Sequence, residues 1–462
     1  MSDITFAPCR KKMVAEGLPA VAIAAFEQCF DLIAAGETGM IAEAQIEPID
    51  ALPDSTTFVA DDARLTDALS RTVVIKLNGG LGTSMGMSGA KTLLPVKGES
   101  NFLDIIAGQL LTLRARYGCR LPLVFMNSFT TRADTLAHMR AYPDLKLEGL
   151  PLDFLQHKVP RLRCDDLRPL EWPDNPDQEW CPPGHGDLYT ALVTSGMLGK
   201  LLEQDFEYAF VSNGDNLGAV LDPRILVWFA GKQLPFAMEV ADRTESDKKG
   251  GHLARLRTGG LTLREVAQCP DAEVDAFQDF LRYRYFNTNN LWLNLRRLDA
   301  TLTRHEQVLP LPLIRNQKHA EPSDKSSPAV YQAETAMGAA ISLFEDAAAV
   351  RVGRERFAPV KTTCDLLLLW SDRYVLDGQS HVRLNPSATA ECVVSLDVGY
   401  FADIGEFQKR FAHGAPSLSA ATRFDVCGDV SFGRDVVVRG AVKVEAAPGE
   451  TRHIADSSVL EG

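Results

Sequence analysis

Residues 73–97 read VVIKLNGGLGTSMGMSGAKTLLPVK: an apolar run, a loop with five glycines in eleven positions, then one lysine ahead of a second apolar run. A strand that empties into such a loop presents backbone N–H groups to an anion, because glycine permits close approach and positive φ. The P-loop pattern needs Gly-Lys-Ser/Thr, which this stretch lacks. The dinucleotide fingerprint needs Gly-x-Gly-x-x-Gly, and Gly80, Gly82 and Gly86 are spaced one residue too long. An ordinary tight strand-to-helix connection also uses glycines, so the rest of the chain has to decide between that and phosphate binding.

The surroundings place the loop in an α/β sheet. Short β-rich runs at 72–77, 121–126, 208–212, 236–240 and 291–295 alternate with helix-like stretches such as 101–117 and 186–204. Alternation of this kind builds a mostly parallel sheet between helices, with ligands beyond the carboxyl ends of the strands. The Gly79 loop, Asn127-Ser128 and residues 213–216 each follow one of those runs and are expected to meet at one rim. Residues 71–376 therefore read as a Rossmann-like α/β domain. Residues 1–70 read as a helical segment at 11–35 followed by an irregular stretch marked by Pro48 and Pro53, packed on that domain.

Residues 377–462 differ. Phe424, Val430, Val436 and Val442 recur every six residues, and Val426, Phe432, Val438 and Val444 repeat the period two positions later. Six-residue recurrence marks a parallel β-helix, with a plain pair of strands as the alternative. The expectation is a C-terminal left-handed parallel β-helix domain.

Composition removes several classes of partner. The formal net charge of −13 argues against nucleic acid or an anionic membrane, since both need a basic face to release counterions. The nine cysteines are scattered with no CxxC pair, as expected of reduced thiols in a cytoplasm. No secretion signal and no run of about 18 uncharged apolar residues occurs. A soluble cytoplasmic protein is expected.

At this point a family likeness appears. Leu77-Asn78-Gly79-Gly80-Leu81-Gly82-Thr83-Ser84-Met85-Gly86, with Lys91 following, resembles the signature loop of the eukaryotic-type UTP–glucose-1-phosphate uridylyltransferase family, also called UDP-glucose pyrophosphorylases. The likeness continues in order through Met126-Asn127-Ser128-Phe129, Gln156, Pro160-Arg161 and Pro182-Pro183-Gly184-His185-Gly186-Asp187. It goes on through Phe210-Val211-Ser212-Asn213, Asp215-Asn216-Leu217-Gly218, Lys249-Gly250-Gly251, Phe286-Asn287-Thr288-Asn289-Asn290-Leu291-Trp292 and Phe357-Ala358-Pro359-Val360-Lys361-Thr362-Thr363. Residues 71–376 would then be a nucleotidyltransferase domain.

The resemblance implies that a sugar 1-phosphate oxygen attacks the α-phosphorus of UTP, so that UTP and glucose 1-phosphate exchange reversibly with UDP-glucose and pyrophosphate. A phosphate monoester has a second pKa of about 6 and is largely dianionic at neutral pH, so no general base is required. The task is to align two polyanions and stabilise the charge that builds, which phosphoryl transfers do with backbone N–H groups, lysine or arginine, and Mg2+.

The resemblance also distributes the roles. Asp215 is the metal candidate, since Mg2+ usually takes only one or two carboxylates plus phosphate oxygens. Lys91 is assigned to the triphosphate, and Lys361 to the α-phosphate and the attacking phosphate. Gln156 and the backbone of Gly80 can read an imide edge, and Leu77, Gly79, Gly82, Thr83, Met126, Gly184 and Asn213 complete the nucleotide set. His185, between two glycines at a helix start, is a sugar-phosphate donor. Gly251, Asn289, Glu239 and, more weakly, Gly250 and Asn290 are candidates for the sugar hydroxyls.

Two departures qualify the likeness. The usual Gly-Pro-Lys-Ser reads Gly89-Ala90-Lys91-Thr92, which loses proline's fixed φ but keeps the lysine. The assembly segment of some relatives is not found after the six-residue repeats, so a monomer or small homo-oligomer is expected rather than an octamer. Two other readings stay open: a pyrophosphorylase of the same architecture using N-acetylhexosamine 1-phosphate or several sugars, and a nucleotide-binding regulator without turnover. Retention of Lys91, Asp215 and Lys361 together argues against the second.

Overall fold

The computed structural model of the chain describes residues 4–60, 62–248, 250–321, 324–389 and 391–462. Lys249, in the block Lys249-Gly250-Gly251, lies outside the described residues. Ten strands form the central mixed sheet: β1 (Ile46–Glu47), β2 (Thr72–Asn78), β3 (Leu123–Asn127), β4 (Asp153–Leu155), β5 (Tyr208–Asn213), β6 (Phe236–Asp242), β7 (His252–Leu256), β8 (Leu261–Arg264), β9 (Tyr285–Asn294) and β10 (Ala348–Val352). The order is β1-β7-β9-β5-β2-β3-β4, with β8 paired to β7, and β6 joining β9 to β10. β5, β2, β3 and β4 run parallel, whereas β9 is antiparallel to β5 and to β6.

This half-parallel arrangement places the site. Asn213 pairs with Leu77, Leu77 with Met126, and Met126 with Phe154, so four carboxyl ends stop in one row. β2 is a parallel strand covered on both faces, which is why its sequence is almost continuously apolar and six of its seven residues are buried. Successive side chains take opposite faces. Val74 and Phe125 pack under the helices Phe102–Tyr117 and Pro223–Gly231, whereas Val73, Ile75 and Val124 pack under Asp187–Thr194 and Leu295–Arg304.

Several elements depart from the sequence expectation for local reasons. The helix expected over 11–35 is two helices, Ala7–Ala15 and Ala20–Ala34, because Gly17 (φ 77°) and Pro19 interrupt it. The stretch 186–204 is likewise two helices, Asp187–Thr194 and Met197–Glu203, around Gly196 at φ 70°. A helix at Asp62–Ser70 occupies part of the stretch read as irregular. The last run ends one residue early, since the Asn294 side chain accepts from the Arg297 N–H and caps the helix Leu295–Arg304.

The C-terminal strands are β11 (Val393–Leu396), β12 (Ala421–Cys427), β13 (Asp429–Phe432), β14 (Val437–Glu445), β15 (Thr451–Ile454) and β16 (Val459–Glu461). β11, β12, β14 and β16 stack in parallel, as do β13 and β15. All eight six-residue-spaced apolar side chains are buried. The boundary expected after residue 376 is not a break in the structure: it falls inside the hairpin of Tyr374–Leu376 and Val382–Leu384. One hydrophobic core runs from the Phe102–Tyr117 helix into the stack, with Trp370 against Phe407 (5.1 Å) and Phe411 stacked on Phe432 (4.9 Å). The Asp403 carboxylate lies against Gly86, in the space a side chain would fill. Among the described residues no helix is long and apolar enough to cross a membrane.

Candidate functional site

The row of carboxyl ends opens onto a cavity of about 310 Å³. Its walls bring together ten of the residues singled out from the sequence: Leu77, Gly79 and Gly80 from β2 and its loop, Lys91, Met126 and Gln156, Gly184 and His185, and Asn213 at the end of β5 with Asp215 just beyond it.

Gly79 explains the first part of the loop. A Cβ there would lie 2.7 to 2.9 Å from the side-chain amide of Gln156, so only glycine lets that amide rest on the loop. Gln156 is itself pinned at the end of β4, its N–H donating to the Asn127 carbonyl (2.9 Å). Asn127 continues inward: its Oδ1 accepts from Asn78 (2.8 Å) and its Nδ2 donates to Asp153 (3.1 Å). Thr92 donates to Asn78 Oδ1 at 2.6 Å, which ties the far side of the glycine loop to the strand tip.

Lys91 and Asp215 form the charged centre. Lys91 Nζ donates to Asp215 Oδ2 at 2.6 Å, and Lys91 is only 9% exposed. Gly82 lies against the Lys91 side chain, and Thr83 begins a short 3-10 turn at Thr83–Met85, exposed and outside the cavity wall. Asp215 sits in a turn held by its neighbour. Asn216 Oδ1 accepts from the N–H groups of Ala358 (3.0 Å) and Gly218 (3.2 Å), and its Nδ2 donates to the Arg356 carbonyl (3.1 Å). The Val360 N–H donates to the Asp215 carbonyl (3.3 Å), so the turn and the segment leading to Lys361 are one hydrogen-bonded unit.

His185 is fixed as a neutral donor. The Met337 N–H donates to its Nδ1 at 3.0 Å, which leaves the proton on Nε2, and burial pushes the imidazole pKa down to about 4. Gly184 makes this possible: at φ 81°, a Cβ would lie 2.4 Å from the Thr335 carbonyl oxygen.

His185 apart, the sugar candidates and Lys361 are not in the walls of this cavity. Lys361 is exposed, its ammonium 5.9 Å from the Phe357 ring, beside a separate cavity of about 280 Å³. Its carbonyl accepts from Ser84 Oγ (3.2 Å), so its loop still touches the glycine loop. Asn289 is held at φ 57° by reciprocal 2.9 Å hydrogen bonds with Asn287.

Glu239 departs from the expectation of a sugar ligand. It is fully buried, with Arg356 donating to both carboxylate oxygens at 2.7 Å and Asn290 and Trp292 each donating at 3.0 Å. Withdrawing it would leave a buried guanidinium unpaired, which costs about 3–5 kcal/mol.

Four residues here were not read from the sequence as site residues: Asn78, Asn216, Arg356 and Glu265. Asn78 and Asn216 stand within the quoted motif blocks, and an asparagine at or just past a strand end is a usable signal. Arg356 has none, since its partner lies over a hundred positions away. The Glu265 carboxylate lies against Gly251. Burial raises its pKa, while a hydrogen bond from Asn287 and the charge of Lys361 pull it down.

The UTP–glucose-1-phosphate uridylyltransferase family description matches residues 23–439. A UTP–glucose-1-phosphate uridylyltransferase from Musa acuminata is 39% identical over 90% of this chain and 86% of its own length. One from Hordeum vulgare is 41% identical over 85% of this chain and 81% of its own length. Among solved structures, a mutant UDP-glucose pyrophosphorylase from Leishmania major in complex with UDP-glucose superposes with a TM-score of 0.92 at 43% identity, covering 100% of this chain and 98% of that one. A UDP-glucose phosphorylase structure from Trypanosoma brucei gives a TM-score of 0.89 at 43% identity, with 99% of each chain covered. With the cavity built from the same motif blocks that carried the likeness, the chain belongs to the UTP–glucose-1-phosphate uridylyltransferase family.

Proposed function

We propose that this protein is a nucleotidyltransferase that interconverts UTP and glucose 1-phosphate with UDP-glucose and pyrophosphate by direct in-line attack of the sugar phosphate on the α-phosphorus. The observation that carries the reading is the cavity itself: the Gln156 amide resting on Gly79 lines the same cavity as the Lys91–Asp215 pair.

In this reading Gln156 and the Gly80 backbone pair with the uracil imide edge. Leu77, Gly79, Gly82, Thr83, Met126, Gly184 and Asn213 shape the rest of the nucleotide pocket. Purines are rejected because those buried groups would be left without partners. Lys91 turns from Asp215 to the triphosphate, and Lys361 serves the α-phosphate and the attacking oxygen. His185 donates through Nε2–H to a phosphate oxygen and transfers no proton. Gly251, Asn289 and Glu265 receive the sugar hydroxyls, while Glu239 supports them from behind by holding Asn290.

A divalent cation fits the donor set. Among the described residues no group of three or more His, Cys, Asp or Glu could form a closed metal cage. Asp215 alone suits Mg2+, which takes one or two carboxylates and completes its shell with phosphate oxygens and water. Mg2+ would supply charge neutralisation on the phosphate oxygens.

The parallel C-terminal stack is read as turns of a left-handed β-helix, in a monomer or small homo-oligomer. All nine cysteines are free thiols, which supports a reducing compartment such as the cytoplasm.

The test is pyrophosphate release from UTP with a panel of sugar 1-phosphates, with and without Mg2+. Mg2+-dependent release with glucose 1-phosphate is expected. Preference for N-acetylhexosamine 1-phosphate, or no release with any sugar, would overturn the reading.

A further inference from the structure

Lys76 is the only charged residue of β2 and stands in its interior, 2% exposed. A buried ammonium is costly unless each proton has an acceptor. Lys76 Nζ donates to Ser212 Oγ and to the Ala219 carbonyl, both at 2.8 Å. Ser212 is the penultimate residue of β5, and Ala219 closes the turn that follows, so one side chain bridges both ends of the segment that carries Asp215. The face of the Phe210 ring lies 5.9 Å from the same ammonium. The charges that act on it are the Glu239 and Asp215 carboxylates and the Arg356 guanidinium, and burial lowers its pKa to about 7.

We infer that Lys76 is a positioning residue for the metal-binding turn: it ties the turn at both ends and sets the aim of the Asp215 carboxylate. The inference rests on the reading above, in which Asp215 holds the divalent ion. Lys91 cannot do this work, because it has to leave Asp215 for a phosphate during the reaction. Lys76 is not among the residues lining the cavity, so the turn keeps one brace that the substrates do not displace. Arg356 is already committed to Glu239 by both of its 2.7 Å bonds.

The experiment measures Mn2+ binding by electron paramagnetic resonance in the presence of UDP-glucose, alongside half-saturating Mg2+ in the pyrophosphate-release assay. Lys76→Met is expected to weaken Mn2+ binding about tenfold and to raise the Mg2+ requirement in parallel, with kcat at saturating Mg2+ changing less, as for other groups that orient a metal ligand from behind. Ser212→Ala, which removes one of the two anchors, should move both readouts the same way by a smaller factor. Val438→Ala in the C-terminal stack controls for general destabilisation and should leave Mn2+ binding unchanged.

Folded Lys76→Met and Ser212→Ala proteins that bind Mn2+ like the parent would overturn the inference. Should Lys76→Met fail to fold, Ser212→Ala decides alone. Mn2+ binding that survives Asp215→Ala removes the metal ligand and the inference together. If the parent protein released no pyrophosphate, the reaction reading would fall while the Mn2+ arm still judged Lys76.

Discussion

The nucleotide side and the sugar side of the site are built differently. On the nucleotide side Gln156 rests on Gly79 and Lys91 is bonded to Asp215, and His185, the sugar-phosphate donor that shares the cavity, is held by the Met337 N–H. On the sugar side Asn289 and Glu265 are held by neighbours, but Lys361 is exposed and its ammonium faces Phe357 rather than the cavity. The difference follows from the sheet. Lys91, Gln156 and Asp215 follow parallel strands whose ends are level, whereas Asn289 and Lys361 come from the antiparallel half and from the loop before the helix Thr363–Trp370. The uridine nucleotide is therefore expected to meet a formed pocket, and the second substrate to complete one.

The largest effect should come from the charged centre. Asp215→Ala removes both the proposed ligand for Mg2+ and the partner of Lys91. Metal and charge stabilisation in such reactions supplies several kcal/mol, and each 1.36 kcal/mol is tenfold in rate. Pyrophosphate release should fall by about 1,000-fold or more, with the fold kept as judged by circular dichroism. Unchanged Mg2+ dependence in a folded variant would move the metal elsewhere and erase the contrast between a charged side and an open side.

Lys361→Ala tests the open side. Loss of a donor that acts on developing charge lowers kcat by about 100- to 1,000-fold with a modest change in KM. Near-normal turnover would mean that the exposed position seen here is also its working position, outside the chemistry. A third outcome sharpens the comparison: a large rise in KM for glucose 1-phosphate with kcat intact would make Lys361 a binding group for the sugar phosphate alone.

How legible these regions were from sequence follows the same division. The glycine loop, Gln156, His185 and Asp215 sit in short local motifs, so residue type and spacing point to them. The six-residue recurrence was equally readable, because each apolar side chain is buried wherever its strand lies in the stack. The Glu239–Arg356 pair was not, since a buried ion pair between distant segments leaves no periodic trace. Glu265 was invisible because the residues it meets, Gly251 and Asn287, lie in other segments of the chain. Helix ends were misplaced where single residues, Gly17 and Gly196, override an otherwise helical pattern.

A smaller effect tests how tightly the nucleotide side is pre-built. Gly79→Ala puts a methyl group 2.7 to 2.9 Å from the Gln156 amide, which has to move. The loss of about one hydrogen bond to the base, ~1 kcal/mol, raises KM for UTP about five- to tenfold and leaves kcat nearly unchanged. Unaltered KM would mean that Gln156 is not the base-reading group.

The smallest expected effect concerns pH, and it separates His185 from the substrate as the source of the acid limb. Burial lowers the His185 pKa to about 4, below the ordinary value of 6.5 for a free imidazole. Between those two values the unfolded chain binds a proton that the native site refuses, so His185 makes stability fall as pH drops from about 6.5 towards 4 and adds no pH dependence above that window. In turnover the same depression keeps the imidazole neutral throughout the range where a phosphate monoester, with its second pKa of about 6, loses its dianion. kcat/KM should therefore fall below about pH 6 because the nucleophile is protonated. His185→Gln, which keeps a donor but cannot titrate, should lower kcat/KM severalfold while leaving the midpoint of that limb in place. A midpoint that moved with the substitution would show His185 titrating near neutrality, and the site would then contain a proton-transfer group rather than a fixed neutral donor.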